Sequence, residues 1–175
     1  RSPSSLPQWS FKVIPDHAPT IALAKDPERQ AHGGLSLSYK LEDDYGVTQA
    51  QAHIALRNSD DDGTPEKATS PLYDPVAFAL GLPSARTKTG VGQTVKDLSE
   101  HPYAGAEVRL TLTAKDEAGN EGRSEPFNMR LPQRVFNKPL ARALIEQRRI
   151  LALDASQKPL VMIALEALLV APQAF

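Results

Sequence analysis

The 175-residue chain contains no cysteine. That excludes a disulfide framework and thiolate metal ligation, and leaves the compartment open. It also lacks an excess of either charge: 20 Lys and Arg stand against 21 Asp and Glu, for a formal net charge of -1. A nucleic acid or an anionic membrane as partner would ask for a basic face, which these totals do not supply. Aromatic residues are few, with Trp 1, Tyr 4 and Phe 5. No apolar run approaches the ~20 residues that span a bilayer. The patterns HExxH, GxSxG, GxGxxG and the P-loop are absent, so the usual motif-bearing hydrolases and nucleotide enzymes find no support. His17, His32, His53 and His101 are far apart in the sequence. The chain starts at Arg1 without a methionine, which suggests an excised or processed fragment.

What the sequence does contain is alternation. Glu107 to Leu131 reads EVRLTLTAKDEAGNEGRSEPFNMRL. Val108, Leu110, Leu112 and Ala114 fall on one side, and Arg109, Thr111, Thr113 and Lys115 on the other. Asp116-Glu-Ala-Gly-Asn120 is a cluster of turn formers, after which Phe127, Met129 and Leu131 resume the period. This predicts an antiparallel hairpin with one buried face. The same period marks Trp9–Ile14, Leu35–Glu42 and Val47–Arg57, the last with Ala50, Ala52, Ile54 and Leu56 inward. Shorter strands are predicted at Thr20–Ala24 and through Val76, Phe78 and Leu80, and alternation returns from Gln93 through Val95. Lys25–Gly33, Asn58–Pro65 and Ser84–Gly92 read as polar loops, with Asp43-Asp-Tyr-Gly46 as a strand-ending turn.

After Leu131 the period changes to helical. Asn137 is the expected cap of a first helix with Pro139 in its first turn, and Asp154 or Ser156 the cap of a second. On the first helix Leu140, Leu144, Arg148 and Leu151 mark one face with Ile145 beside it, and Arg142, Glu146, Arg148 and Arg149 dress the other sides. The second would bury Leu160, Ile163, Ala164, Ala167 and Leu168, leaving Val161, Leu165 and Leu169 toward water. The whole is predicted to be mainly β: an immunoglobulin-like antiparallel β-sandwich with a C-terminal two-helix extension. Residues 1–8 would be a disordered lead-in, 9–131 the sandwich with a long insertion at about 58–92, and 132–175 a linker with two helices.

Few residues suggest a site. Asp116, Glu117 and Asn120, joined by Asp43 and Asp44, present hard oxygens that suit calcium. Asx turns with a glycine at positive φ explain the same residue types without a metal, so none is expected, and no cofactor either. Trp9, Tyr45 and Tyr103 form a candidate stacking platform for a sugar ring, although a tryptophan at a strand start is commonly core. Arg142, Arg148 and Arg149 suit an anion, and equally a solvated helix face. His53 is expected in solvent, and His101, before Pro102, on a backbone carbonyl. Leu160, Val161, Leu165 and Leu169 mark a second helix apolar on more than one side, which calls for a protein partner or self-association.

Asp43-Asp-Tyr-Gly46, His101-Pro-Tyr-Ala-Gly105, Ala114-Lys-Asp-Glu-Ala-Gly119, Leu131-Pro-Gln-Arg-Val-Phe136 and Pro139-Leu-Ala-Arg-Ala-Leu144 together resemble a family of uncharacterised, mainly alphaproteobacterial membrane proteins, domain of unknown function 4175. The resemblance covers about Trp9 to Leu151, with Tyr103 standing where the family pattern has a tryptophan. It implies an extracytoplasmic slice of a larger membrane-anchored protein, on the periplasmic side of the bacterial inner membrane. It brings no catalytic residues. The expected role is a non-enzymatic interaction or spacer module, with a carbohydrate- or peptidoglycan-binding module as the alternative.

Overall fold

A computed structural model describes residues 9–12, 15–31, 33–57 and 70–170. Among them the chain runs β1 Thr20–Arg29, β2 Gly34–Val47, β3 Gln49–Leu56, β4 Val76–Ala79, β5 Thr87–Asp97, β6 Glu107–Lys115, β7 Glu121–Arg123 and β8 Phe127–Arg130. α1 Pro139–Leu153 and α2 Lys158–Val170 follow, joined by a 3-10 turn at Ala155–Gln157. One sheet has the order β1-β2-β5. The other has the order β4-β3-β6, with β7 and β8 end to end along the far edge of β6. Every pairing is antiparallel. The fold is therefore mainly β, two antiparallel sheets with two C-terminal helices, and its strand order is compatible with an immunoglobulin-like sandwich.

The alternating strands bury the sides their sequences single out. Leu35, Leu37, Tyr39 and Leu41 of β2 meet Ala50, Ala52 and Ile54 of β3 and Val108, Leu110, Leu112 and Ala114 of β6 in one core. Phe127 and Met129 pack on its margin, half-buried. Each fully buried aliphatic side chain contributes about 1.5–3 kcal/mol. The register of β3 on β6 sets Ile54 opposite Leu110 and Ala52 opposite Leu112. A one-residue slip would turn each apolar set to solvent, so the pattern fixes the pairing.

Several boundaries depart from the sequence reading, each for a local reason. Trp9–Lys12 forms no strand, and Trp9 and Phe11 are exposed; Val13 and Ile14 lie outside the described residues. Alternation there has no partner edge to complete it. β1 runs on through Lys25–Arg29, where a loop is expected, with one register shift between Leu23 and Lys25 and another between Lys25 and Glu28, across Asp26-Pro27. It is an edge strand, and an edge tolerates a proline that cannot donate. Asp43-Asp-Tyr-Gly46 does not end β2 but interrupts its register between Glu42 and Val47.

Thr87–Gly92 is not a loop but the first half of β5, paired with β2. Its glycines, which read as loop residues, serve packing instead. The Tyr39 ring lies over Gly92, where a Cβ would sit 2.4 Å from the ring. The Tyr39 hydroxyl donates to the Gly81 carbonyl and stands 2.7 Å from Thr94 Oγ1, while Gly81 N–H donates to Thr94 Oγ1 at 2.9 Å. Val95 faces solvent; Leu98 is the buried residue of that stretch. Of the span 58–92, residues 58–69 lie outside the described set, and the remainder supplies β4 and the start of β5. The return arm of the central hairpin splits into β7 and β8 at Ser124–Pro126. There Ser124 Oγ accepts Leu112 N–H at 2.9 Å, and Ser124 N–H donates to Leu112 O at 2.9 Å.

α1 is flanked at its start by Lys138 rather than Asn137, with no side-chain cap, and Pro139 occupies the first turn. Its inward side runs through Ile145, Arg149 and the buried Ala152, so Leu144 is left exposed. Backbone bonds tie the helix end to the sandwich: Leu72 N–H to Ala152 O at 3.0 Å, and Ala155 N–H to Ser70 O at 2.8 Å. Asp154 caps the turn into α2, accepting from Ser156 N–H at 3.0 Å and Ser156 Oγ at 2.8 Å.

Candidate functional site

The three aromatics do not assemble into a platform. Tyr103 is buried in the connection before β6 and donates its hydroxyl proton to the Tyr73 carbonyl. The His101 ring stands edge-on to it at 5.0 Å, and His101 Nδ1 accepts Tyr103 N–H at 3.1 Å, where a bond to a carbonyl is expected. Burial, then the charge of Arg148, holds His101 below the usual histidine range. A side chain so committed cannot stack on a ligand. Trp9 and Tyr45 are exposed. Tyr45 borders a hollow of about 340 Å³ with Asp16, Asp116, Glu117 and Ala118, which Trp9 does not line.

That hollow is where the acidic turns meet. Asp43 Oδ2 accepts the N–H groups of Tyr45, at 3.2 Å, and of Gly46. Asp116 is buried, with Oδ1 accepting Asn120 N–H at 2.8 Å and Oδ2 accepting Asn120 Nδ2 at 2.7 Å. Asp44 pairs with His17 at 3.2 Å, and Arg86 with Glu117 at 2.7 Å. Gly46 and Gly119 take φ of 112° and 92°, the turn geometry their positions suggest. Burial opposes ionisation of Asp116, yet the bonds from Asn120, Gly119 and Ala118 prevail and keep it below the usual carboxylate range. Asp16, by contrast, is raised, first by desolvation and then by the charges of Asp116 and Asp44. Asp97 and His101 are not part of this group. Asp97 instead accepts Ser99 N–H at 2.9 Å. With Asp43 Oδ2 and both Asp116 oxygens accepting local N–H donors, the acidic end reads mainly as corner chemistry, while Asp43 Oδ1 is buried without a partner among the described residues. His53 reaches Thr113 Oγ1 at 3.1 Å and is half-buried, not free in solvent; His32 lies outside the described residues.

α2 presents five exposed large apolar residues, and this is not the surface the stripe predicts. Val161 and Leu168 are buried and Ala164 and Leu165 half-buried, so this side is the one turned inward, against α1. Leu160, Met162, Ile163, Leu169 and Val170 are exposed, Leu169 at 82%. Of the residues expected to face water, Leu169 does so, whereas Val161 and Leu165 do not. Leu160, Ile163 and Ala167 are the reverse case, exposed although placed in the buried stripe. The outward line Leu160, Ile163, Ala167 and Val170 follows spacings of three, four and three residues, those of a heptad seam.

A second feature escapes sequence reading. Arg29, Arg130, Arg134, Arg142 and Arg149 line one cleft of about 610 Å³ between the sandwich end and α1. Arg142 and Arg149 come from the helix already singled out for an anion; Arg148 points elsewhere, donating to Glu100 O at 2.7 Å. The others are scattered along the chain, and only the topology gathers them. Among the described residues no group of three or more His, Asp or Glu is arranged to hold a metal ion, and no helix is long and apolar enough to cross a membrane. A family model described as Domain of unknown function (DUF4175) matches residues 1–175. No curated protein and no solved structure matches the chain.

Proposed function

The chain belongs to the family of that description, Domain of unknown function (DUF4175), and from this premise we propose that it is a non-enzymatic interaction module. In this reading it is the extracytoplasmic part of a larger membrane-anchored protein, on the periplasmic side of a bacterial inner membrane. The observation that carries the interaction role is the outward seam of α2. Leu160, Ile163, Ala167 and Val170 stand in line on the side facing away from α1. The described helix has only two charged residues, Lys158 and Glu166, to solvate it. Such a seam suits the matching seam of another helix, knobs against holes. A second copy of this chain supplies one by symmetry, and an apolar helix of another protein has the same chemistry. A carbohydrate- or peptidoglycan-binding role has weaker support, because Tyr103 is buried and of the three candidate aromatics leaves Trp9 and Tyr45, which do not line a common hollow.

Multi-angle light scattering across a concentration series tests the reading. The chain should associate as concentration rises, and a Leu160→Glu/Ile163→Glu double variant should stay monomeric with an unchanged β-sheet spectrum. A chain that remains monomeric throughout would remove self-association through α2.

A further inference from the structure

We propose that the arginine cleft between the sandwich and α1 is an oxyanion site that takes a phosphate group. The chain carries a formal net charge of -1, yet five arginines and a single carboxylate, Glu146, line this opening. The positive potential here comes from the fold and not from composition.

The guanidiniums are held mostly by acceptors that position them without neutralising them. Arg29 Nη2 donates to the Gln133 carbonyl at 3.0 Å, and Arg149 Nη1 to Gln133 Oε1 at 3.2 Å. Arg130 Nε donates to the Gly105 carbonyl at 2.8 Å. Two carboxylates do take part: Glu146 pairs with Arg149, and Glu100 with Arg134 at 2.9 Å. The Arg142 side chain makes no hydrogen bond or ion pair among the described residues. A guanidinium has five N–H donors, so one or two fixed bonds leave others for a ligand.

The frame is also tightly packed. Gly105 has φ of 81°, and a Cβ there would lie 2.1 Å from Gln133 Oε1 and 2.5 Å from Arg149 Nη1. Glycine thus lets Gln133 and Arg149 close over the backbone, and Arg29, Arg130, Arg134 and Arg149 are held in place before any ligand arrives, with Arg142 left free to complete the site. Several fixed cations around one opening repel one another, and a bound anion relieves that repulsion. Planar guanidiniums match tetrahedral oxyanions through paired N–H···O bonds, so phosphate is the fitting chemistry. The volume exceeds that of a single phosphate, and the apolar side chains of Phe136 and Ile145 line the same cleft. A diphosphate fits this opening, as does a phosphate head carrying part of an apolar body. The cleft is distinct from the α2 seam, so the two proposals stand or fall separately.

Calorimetric titration with sodium pyrophosphate at low salt tests the site, beside sedimentation with vesicles of phosphatidylglycerol in phosphatidylcholine. The chain should bind at least one of the two, less tightly as salt rises. Arg142→Gln, a change on an exposed helix position, should weaken binding about tenfold, the loss of one charge-assisted bond. Arg86→Gln, at an exposed ion pair outside the cleft, should leave it unchanged. Binding of pyrophosphate assigns a soluble phosphate, and binding of anionic vesicles alone assigns a lipid headgroup. Binding of neither probe, an Arg142→Gln variant as tight as the parent, or an equal loss from Arg86→Gln would overturn the proposal.

Discussion

The sandwich and the helical tail are both rich in apolar residues, and they use them in opposite ways. In the sandwich Leu37, Tyr39, Leu41, Ile54, Val108 and Leu112 have no exposed surface at all. Among the described residues of the two helices Ala152, Val161 and Leu168 are the buried apolar ones, while Leu144, Leu160, Ile163, Leu169 and Val170 are open. The difference is one of geometry. A strand has two faces, and ladder bonds to neighbours on both sides leave it no freedom to rotate. A helix satisfies its own backbone and can turn any side inward, so its orientation is decided by packing alone.

The largest test of this contrast is a pair of truncations. Leu110→Ala, in the middle of β6, should lower unfolding free energy by about 2–5 kcal/mol, through lost transfer energy and a cavity. Ile163→Ala, on exposed α2, should change it by less than about 0.5 kcal/mol in dilute solution. Denaturant titration measures both, and comparable losses would show α2 to be part of the same core.

A smaller effect reports on the seam between the two regions, where His101 lies beside Tyr103 and Arg148. Its folded pKa is held below the unfolded value near 6.5 by burial and by Arg148. The unfolded chain therefore takes up a proton first as pH falls. Stability should be full above pH ~6.5 and decline as pH drops toward the folded pKa. His101→Gln, whose amide oxygen still accepts Tyr103 N–H, should flatten that decline in melting temperature. An unaltered pH profile would place the decline on another group.

Asp154, which caps the turn into α2, is lowered to about 2 by its bonds to Gln157 and Ser156. Its contribution is present above the unfolded value of 3.8 and is lost as pH falls toward 2. Asp154→Ala should lower the helical signal by circular dichroism and leave the sheet intact. Loss of both together would tie α2 to the sandwich more closely than its exposed surface implies.

The smallest expected effect is that of calcium, which should leave the melting temperature unchanged. The oxygens of Asp116 and Oδ2 of Asp43 already accept local donors. A rise abolished by Asp116→Asn would make the acidic end a cation site, since a ligand of the native state alone must stabilise it.

By itself the sequence determined the central strands, because a period of two is a complete instruction once a face must be buried: β2, β3 and β6 and their inward residues follow from it. It also determined the turn chemistry of Asp43–Gly46 and Asp116–Asn120, which is local, and the existence of two helices after Leu131. It misplaced what depends on remote neighbours. Gly90 and Gly92 read as loop until the Tyr39 ring is set above Gly92, and Trp9–Lys12 read as strand until no edge is found for it. Only the tertiary structure decided which side of α2 faces inward, because an almost uniformly apolar helix carries no internal preference. Only the tertiary structure gathered Arg29, Arg130, Arg134, Arg142 and Arg149, because residues from an edge strand, a return strand, a linker and a helix share no spacing that a sequence displays.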